Sequence, residues 1–195
     1  QTCALPICRT GANRRAVRKL YAERPGWGQD FDYDEGRHLV AYRYAATLCS
    51  GKRVLDAGCG EGFCTQELAK TAASVLGVDY HDESVSTARS KWQAPNLAFR
   101  VLDVMREAPG LSEFDLILNF QVLEHVEDDI GFLRNLHSAL APGGLLLLTT
   151  PNARMSFSEN PCHLREYTAE GLQGLLCQVF SSVEMKGVFG NERVV

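Results

Sequence analysis

The run Val54-Leu55-Asp56-Ala57-Gly58-Cys59-Gly60-Glu61-Gly62 leads from an apolar strand signature into a glycine turn, and helix-like sequence follows. Glycines there let backbone approach a ligand closely, and a helix start offers N–H donors that no carbonyl of the helix can take. The competing reading is a tight turn with a purely structural role. The spacing is G-x-G-x-G, whereas a dinucleotide turn more naturally reads G-x-G-x-x-G. Asp56 stands two residues before the first glycine. A carboxylate at that point repels a pyrophosphate and suits a cationic ligand. Asp79 closes the next apolar run, 19 residues after Gly60, where an acidic side chain can accept hydrogen bonds from a ribose diol. Asp103 follows a third run, and its carboxylate can accept from an exocyclic adenine amine. Taken singly, both also read as turn or helix-cap aspartates. Three acids at the ends of three consecutive strands line one edge, and together they describe a nucleoside carrying positive charge.

The elements that must position these residues alternate in type. Strands are expected at Arg53–Asp56, Ser74–Asp79, Leu97–Leu102, Phe114–Asn119, Leu145–Thr150 and Phe180–Val188. Helices are expected over His38–Cys49, Phe63–Thr71, from an Asp82 cap through Lys91, from Asp128 or Asp129 through Leu140, and from a Thr168 cap through Cys177. Pro142-Gly143-Gly144 separates the fourth of these helices from the fifth strand. Near-continuous apolar strands separated by helices mean a parallel sheet covered on both faces. Right-handed crossovers then give a doubly wound α/β sheet, whose ligands bind beyond the carboxyl ends of the strands. His38, His81 and His137 are scattered and read as structural, and Trp27 and Trp92 as packing.

Composition narrows the class. The chain has 195 residues, 45% hydrophobic and 23% charged, with a formal net charge of −4. That is one soluble domain. No apolar run approaches the ~18 residues of a membrane span, and no basic field advertises a nucleic-acid partner. The seven cysteines never fall into C-x-x-C and are odd in number. Zinc and a disulfide framework are both disfavoured, and a reducing, cytoplasmic compartment fits better. Gln1–Ile7 resembles the in-frame translation of a sequencing-library adapter, so residues 1–8 are expected to be an artefact on a metagenomic fragment. Residues 9–37 read as a loose arm, in which Arg14, Arg15, Arg18 and Lys19 form a basic face, and 38–195 as the domain proper.

The ordered motifs resemble those of class I S-adenosylmethionine-dependent methyltransferases. Val54–Gly62, Gly77–Tyr80, Leu102-Asp103-Val104, Phe114–Val126 and Leu140–Asn152 match in sequence order and span about half the chain. The resemblance implies a Rossmann-like sheet of order 3-2-1-4-5-7-6 with strand seven antiparallel. Asn191–Val195 would then begin a truncated strand seven. It also implies roles. Asp56, Gly58, Gly60 and Gly62 would hold the methionine part of the cofactor, and Asp79 the ribose hydroxyls. Tyr80 would pack beside the adenine, and Asp103 with the Val104 amide would read the adenine edge. Phe120 and Gln121 would flank the amino-acid tail and sulfonium.

A sulfonium is already activated, so the protein mainly aligns a nucleophile, and a base helps only where that nucleophile is protonated. His125 is the candidate base, with Glu124 able to orient it; the alternative is a helix-start residue packed under the cofactor. Glu159–Tyr167 resembles an Asn-Pro-x-His-x-Arg-Glu-Tyr/Phe-Thr segment of bacterial methyltransferases of glycan and cell-surface pathways. It makes His163, with Arg165 and Tyr167, a candidate for the substrate side. The alternative is a loop pinned by Pro161, in which His163 and Glu166 satisfy backbone groups. The expected acceptor is a small molecule, a sugar or a lipid-linked intermediate, methylated at oxygen. No Asn/Asp-Pro-Pro-aromatic turn of an amino-directed DNA enzyme follows strand four, and Cys162 comes too late for a cytosine-C5 nucleophile. A nicotinamide oxidoreductase and a noncatalytic cofactor-binding module remain the other readings.

Overall fold

The computed structural model describes residues 33–156 and 162–187. The stretch at 1–8, most of the 9–37 arm with its basic face, Trp27, Pro161 and the start of strand seven lie outside the described residues. The elements in order are α1 (Tyr33–Leu48), β1 (Arg53–Ala57), α2 (Thr65–Leu68), β2 (Ser74–Asp79), α3 (Asp82–Lys91) and β3 (Leu97–Val101). Then come β4 (Phe114–Phe120), a 3-10 turn (Leu123–His125), α4 (Asp129–Ala139), β5 (Leu140–Thr149) and α5 (Ala169–Leu176). The strands form one sheet of order β3-β2-β1-β4-β5 with every pairing parallel. This is the doubly wound architecture expected from the alternating pattern.

Adjacent residues of the central strands feed opposite layers. Val54, Leu116, Leu118 and Phe120 pack with Ala41, Tyr42 and Ala45 of α1 and with Leu68 of α2. Leu55 and Ile117 pack on the other face with Phe132, Leu133 and Leu136 of α4. Leu55, Ile117 and Leu133 are completely buried, and each such side chain contributes roughly 1.5–3 kcal/mol. The central strands are thus held from both sides, which fixes the height at which their carboxyl ends stop. Among the described residues no helix is long and apolar enough to cross a membrane.

Several boundaries differ from expectation. The regular part of the Phe63–Thr71 helix is only Thr65–Leu68. The chain winds on from Gly62 to Ala72, but bonds such as Glu67 N to Cys64 O and Thr71 N to Leu68 O tighten it toward 3-10 geometry. Asp82 is the first residue of α3 and not its cap; the His81 side chain caps it by accepting from Ser84 N. Asp128 caps α4 and Thr168 caps α5, as read from sequence. β5 begins at Leu140, earlier than expected. Phe114 pairs with Leu140, the ladder shifts, and Leu116 resumes it with Leu145. The Pro-Gly-Gly segment is therefore a bulge within the ladder. Gly144 is needed there, because a Cβ would stand 2.9 Å from the Ala141 carbonyl and 3.0 Å from the Phe114 carbonyl. Residues 181–187 are not a strand. In the order 3-2-1-4-5-7-6 a sixth strand has its ladder partner in the seventh, which the described residues do not contain.

Candidate functional site

The glycine turn leaves β1 at its carboxyl end and is tied to β2. Gly58 N and Cys59 N both donate to the Val78 carbonyl, at 2.8 and 3.0 Å. Gly60 N donates to Asp79 Oδ2 at 3.0 Å, and His81 N donates to Asp79 Oδ1 at 2.9 Å. Gly58, Gly60 and Gly62 have φ of 94°, 54° and 75°, the left-handed region that side chains disfavour. At Gly62 a Cβ would also stand 2.6 Å from the Phe99 ring. The turn therefore lies low against β2 and β3 because three of its five residues are glycines.

The three strand-end acids have different surroundings. Asp56 is 1% exposed, beneath the turn. Its carboxylate accepts from the Tyr42 hydroxyl of α1 at 3.0 and 3.1 Å and from the Thr65 hydroxyl of α2 at 2.6 Å. Burial pushes its pKa up to about 6; the Thr65 and Tyr42 hydrogen bonds oppose that rise and the Asp79 charge adds to it. Asp79 is also buried and also raised, with burial the main cause and the backbone donors of His81 and Gly60 opposing it. Asp103 is more open. It accepts from Met105 N at 3.1 Å and pairs with Arg106 at 3.3 Å. Tyr80, half-buried, stands edge-on to His81 with ring centroids 6.3 Å apart. Val104 is buried, and its carbonyl accepts from Asn135 Nδ2 at 2.7 Å.

Beyond β4, Phe120 is buried and packs edge-on against Tyr42, with 4.9 Å between centroids. Gln121 takes φ 57°. Its amide donates to the Thr149 carbonyl at 2.9 Å and its side chain to the Thr149 hydroxyl at 3.2 Å. A non-glycine residue in that region is costly and is held by its surroundings; here the end of β5 holds it and turns the chain into the 3-10 turn.

That turn carries Glu124 and His125, which are 1% and 4% exposed. His125 Nδ1 donates to the Cys162 carbonyl at 2.8 Å, and burial lowers its pKa, so the imidazole is held neutral. Glu124 Oε2 accepts from the Thr150 hydroxyl at 3.0 Å. The Glu124 carbonyl accepts from Leu164 N at 2.8 Å, which staples the loop after β5 onto the turn. His163 then stands beside His125, with centroids 5.0 Å apart, and its Nδ1 donates to Glu166 Oε1 at 2.7 Å.

Residues 37 or more apart in sequence thus converge at the ends of β4 and β5. Arg165 and Tyr167, candidates for substrate contact, instead place their polar ends on Asp129 of α4. Trp92 packs, donating to the Glu61 carbonyl and meeting Phe63 edge-on. His38 stacks on Tyr42, and His137 packs against Phe180. Tyr42, Thr65, Asn119 and Thr150 escaped the sequence reading. Tyr42 and Thr65 had a signal: each lies on the sheet-facing side of a helix, where a hydroxyl needs a buried partner.

A family described as "Methyltransferase domain" matches residues 33–191. A probable S-adenosylmethionine-dependent methyltransferase of Mycobacterium tuberculosis is 36% identical over 165 residues, covering 81% of this chain and 59% of its own length. A ubiquinone biosynthesis O-methyltransferase of Ruegeria pomeroyi is 35% identical over 105 residues, covering 53% of this chain and 42% of its own. Among solved structures, the N-methyltransferase NodS from Bradyrhizobium japonicum WM9, in complex with S-adenosyl-L-homocysteine, is similar with a TM-score of 0.68. Its sequence identity is 21%, and 92% of each chain is covered; that likeness is one of fold. The chain spans about three-fifths of the length of the mycobacterial relatives.

Proposed function

We propose, from the premise that this chain belongs to the class I S-adenosylmethionine-dependent methyltransferases, that it binds S-adenosylmethionine along the β1–β4 strand ends. It transfers the methyl group to a hydroxyl oxygen of a small molecule, a sugar or a lipid-linked acceptor. The carrying observation is the bond from Gly60 N to Asp79 Oδ2, which locks the glycine turn to the acidic end of β2. The residues present fit the cofactor. Asn119, wholly buried, donates to the Ala57 carbonyl at 2.9 Å, while its Oδ1 has no protein partner among the described residues. An acceptor is therefore left over near the end of β1, where the cationic ligand is proposed to sit.

S-adenosylmethionine, when bound, supplies a methyl group on a positively charged sulfur. The chain's own residues do the rest. Gly58, Gly60 and Gly62 line the methionine part. Asp56 acts from beneath them, as a buried negative charge and a brace to α1 and α2. Asp79 takes the ribose hydroxyls, Tyr80 covers the adenine, and Asp103 with the Val104 amide reads its edge. Phe120 and Gln121 flank the amino-acid tail. His125 and His163 face the acceptor; the neutral His125 ring has a lone pair at Nε2, because Nδ1 carries the hydrogen, and can accept the hydroxyl proton. The relatives named for ubiquinone biosynthesis are O-methyltransferases, which supports oxygen as the acceptor atom. The net charge of −4 supports a partner other than nucleic acid. Among the described residues, Cys49, Cys59, Cys64, Cys162 and Cys177 are in no disulfide, which supports a reducing, cytoplasmic setting.

Calorimetric titration with S-adenosylhomocysteine and with NADH tests the cofactor, and transfer of a tritiated methyl group to a cell extract tests turnover. Saturable S-adenosylhomocysteine binding with label transfer is expected. Tight binding of NADH alone would overturn the reading, and cofactor binding without label transfer would reduce the chain to a binding module.

A further inference from the structure

We infer that Glu124, His125 and His163 form a binding site for one divalent first-row transition-metal ion, resting on the acceptor side of the reading above. Each residue offers one ligand atom, and these atoms all lie within 4.8 Å of one another. Two imidazoles and a carboxylate suit manganese, iron, cobalt or zinc, whereas magnesium and calcium favour oxygen ligands throughout.

The surroundings prepare the rings for coordination. A carbonyl only accepts, so His125 Nδ1, bonded to the Cys162 carbonyl, carries the hydrogen and leaves the Nε2 lone pair for a metal. The Glu166 carboxylate does the same for His163. Metal-binding histidines characteristically donate their other nitrogen to a carbonyl or carboxylate in this way. The orienting groups are themselves held. Ser156 donates to Glu166 Oε1 at 3.0 Å, and Thr150 holds one Glu124 oxygen at 3.0 Å. Leu164 N on the Glu124 carbonyl fixes the two backbones relative to each other.

Ligand atoms ~2.1 Å from one ion stand roughly 3–3.5 Å apart, so the three side chains close by about an ångström on binding. Glu124 and His125 are buried, while the His163 side chain is 15% exposed, so the site opens on the loop side. Three protein ligands leave coordination positions for acceptor oxygens. The chemistry favoured there is a hydroxyl with a neighbouring oxygen, as in a catechol or a sugar diol, made more acidic by the ion; the ion takes up the His125 lone pair, so coordination replaces proton acceptance by that ring as the means of activating the hydroxyl.

The test is calorimetric titration of the chelator-treated chain with MnCl2, ZnCl2 and MgCl2, without acceptor. One saturable site for Mn2+ or Zn2+ and none for Mg2+ is expected. Glu166→Gln, which alters an orienting group and no ligand, should weaken binding 10- to 100-fold, and His163→Gln by more. Cys177→Ser, at an exposed thiol that has no part in the site, should bind as the parent does. Parallel titration with S-adenosylhomocysteine reports that each variant is folded. Absence of a saturable site in the parent, unchanged affinity in both Glu166→Gln and His163→Gln, or loss in Cys177→Ser would overturn the inference. Metal binding without methyl transfer would overturn the proposed function and leave this site standing; methyl transfer without metal binding would do the reverse.

Discussion

The two halves of the strand-end edge are built from different materials. Over β1, β2 and β3 the parts proposed to act are backbone N–H groups, glycines and carboxylates, those of Asp56 and Asp79 buried, and the Gly60–Asp79 bond joins a turn to the next strand in the chain. Over β4 and β5 the parts proposed to act are side chains on two segments, brought together by loop hydrogen bonds such as His125 to Cys162, 37 residues apart. The first half is a cradle whose shape follows from local geometry. The second exists only once the loop after β5 has docked. The contrast predicts separable failures: damage to the first half should cost cofactor affinity, and damage to the second should cost turnover with the cofactor still bound.

The largest expected effect is at His125. Its replacement by Asn should lower methyl transfer by ~10²- to 10⁴-fold, the range for loss of a positioned proton acceptor. S-adenosylhomocysteine affinity should stay within about threefold, since the ring belongs to the acceptor half. Single-turnover transfer and calorimetry on one preparation check it; equal losses in both would dissolve the division between the halves.

Next comes Asp79→Ala. It removes the acceptor of two backbone donors, Gly60 N and His81 N, as well as the proposed ribose contact. Leaving a buried donor unpaired costs ~1–3 kcal/mol, so S-adenosylhomocysteine affinity should fall by about 100-fold. Affinity within threefold of the parent would show that the cradle does not need its acidic brace.

That asymmetry also explains what was legible in the sequence. Asp56, the glycines and Asp79 could be singled out as candidates because the chemistry proposed for them is carried by order and spacing along consecutive elements. The doubly wound parallel sheet followed from the same alternation, whereas its strand order came from the family resemblance. The contacts of Arg165 and Tyr167 with Asp129 were not legible because Asp129 lies 36 and 38 residues away, and no periodicity encodes a contact between a loop and a helix start. Tyr42 illustrates the intermediate case. Its inward position on α1 was readable, but the target of its hydroxyl, Asp56, was not. The β5 bulge was missed because Pro-Gly-Gly signals a break in any element and does not say that a ladder resumes after it.

A smaller effect follows from Asp56. Its pKa stands near 6 against an ordinary 3.8, chiefly through burial. A raised carboxylate pKa means that the folded chain holds the proton more tightly than the unfolded chain. The stability this contributes is fully present below 3.8 and is lost as pH rises through about 6. A bound sulfonium reverses the preference, because it favours the ionised form. The affinity for S-adenosylmethionine relative to uncharged-sulfur S-adenosylhomocysteine should therefore rise between pH 5 and 7, by no more than about tenfold per unit. Asp56→Asn should flatten that ratio and raise the melting temperature of the ligand-free chain at pH 8 more than at pH 5. A ratio independent of pH in the parent would remove Asp56 from the charge balance of the site.

The smallest effect lies on the opposite edge of the sheet. At the amino end of β1, Arg53 donates through its backbone N and Nε to Asp115 Oδ2, at 2.9 and 3.1 Å, and through Nη2 to Oδ1, at 2.8 Å. The guanidinium side-chain hydrogen bond is the main reason the Asp115 carboxyl is held down to about 2. The sign is opposite to that at Asp56: a lowered carboxylate pKa contributes stability that is present above 3.8 and lost as pH falls toward 2. The geometry is bidentate, yet the two side chains are 49% and 35% exposed, so solvent screens the pair and its worth is at most ~1 kcal/mol. Asp115→Asn should lower the melting temperature by no more than ~4 °C at pH 7, with the gap narrowing in 1 M salt and closing near pH 2. Its S-adenosylhomocysteine affinity should match the parent's, because the pair sits at the far end of strands whose buried middles isolate it from the cradle. A measurable affinity change in Asp115→Asn would mean that β1 and β4 slide as units and transmit strain along their length, and the strand-end site would then have to be treated as coupled to the whole sheet.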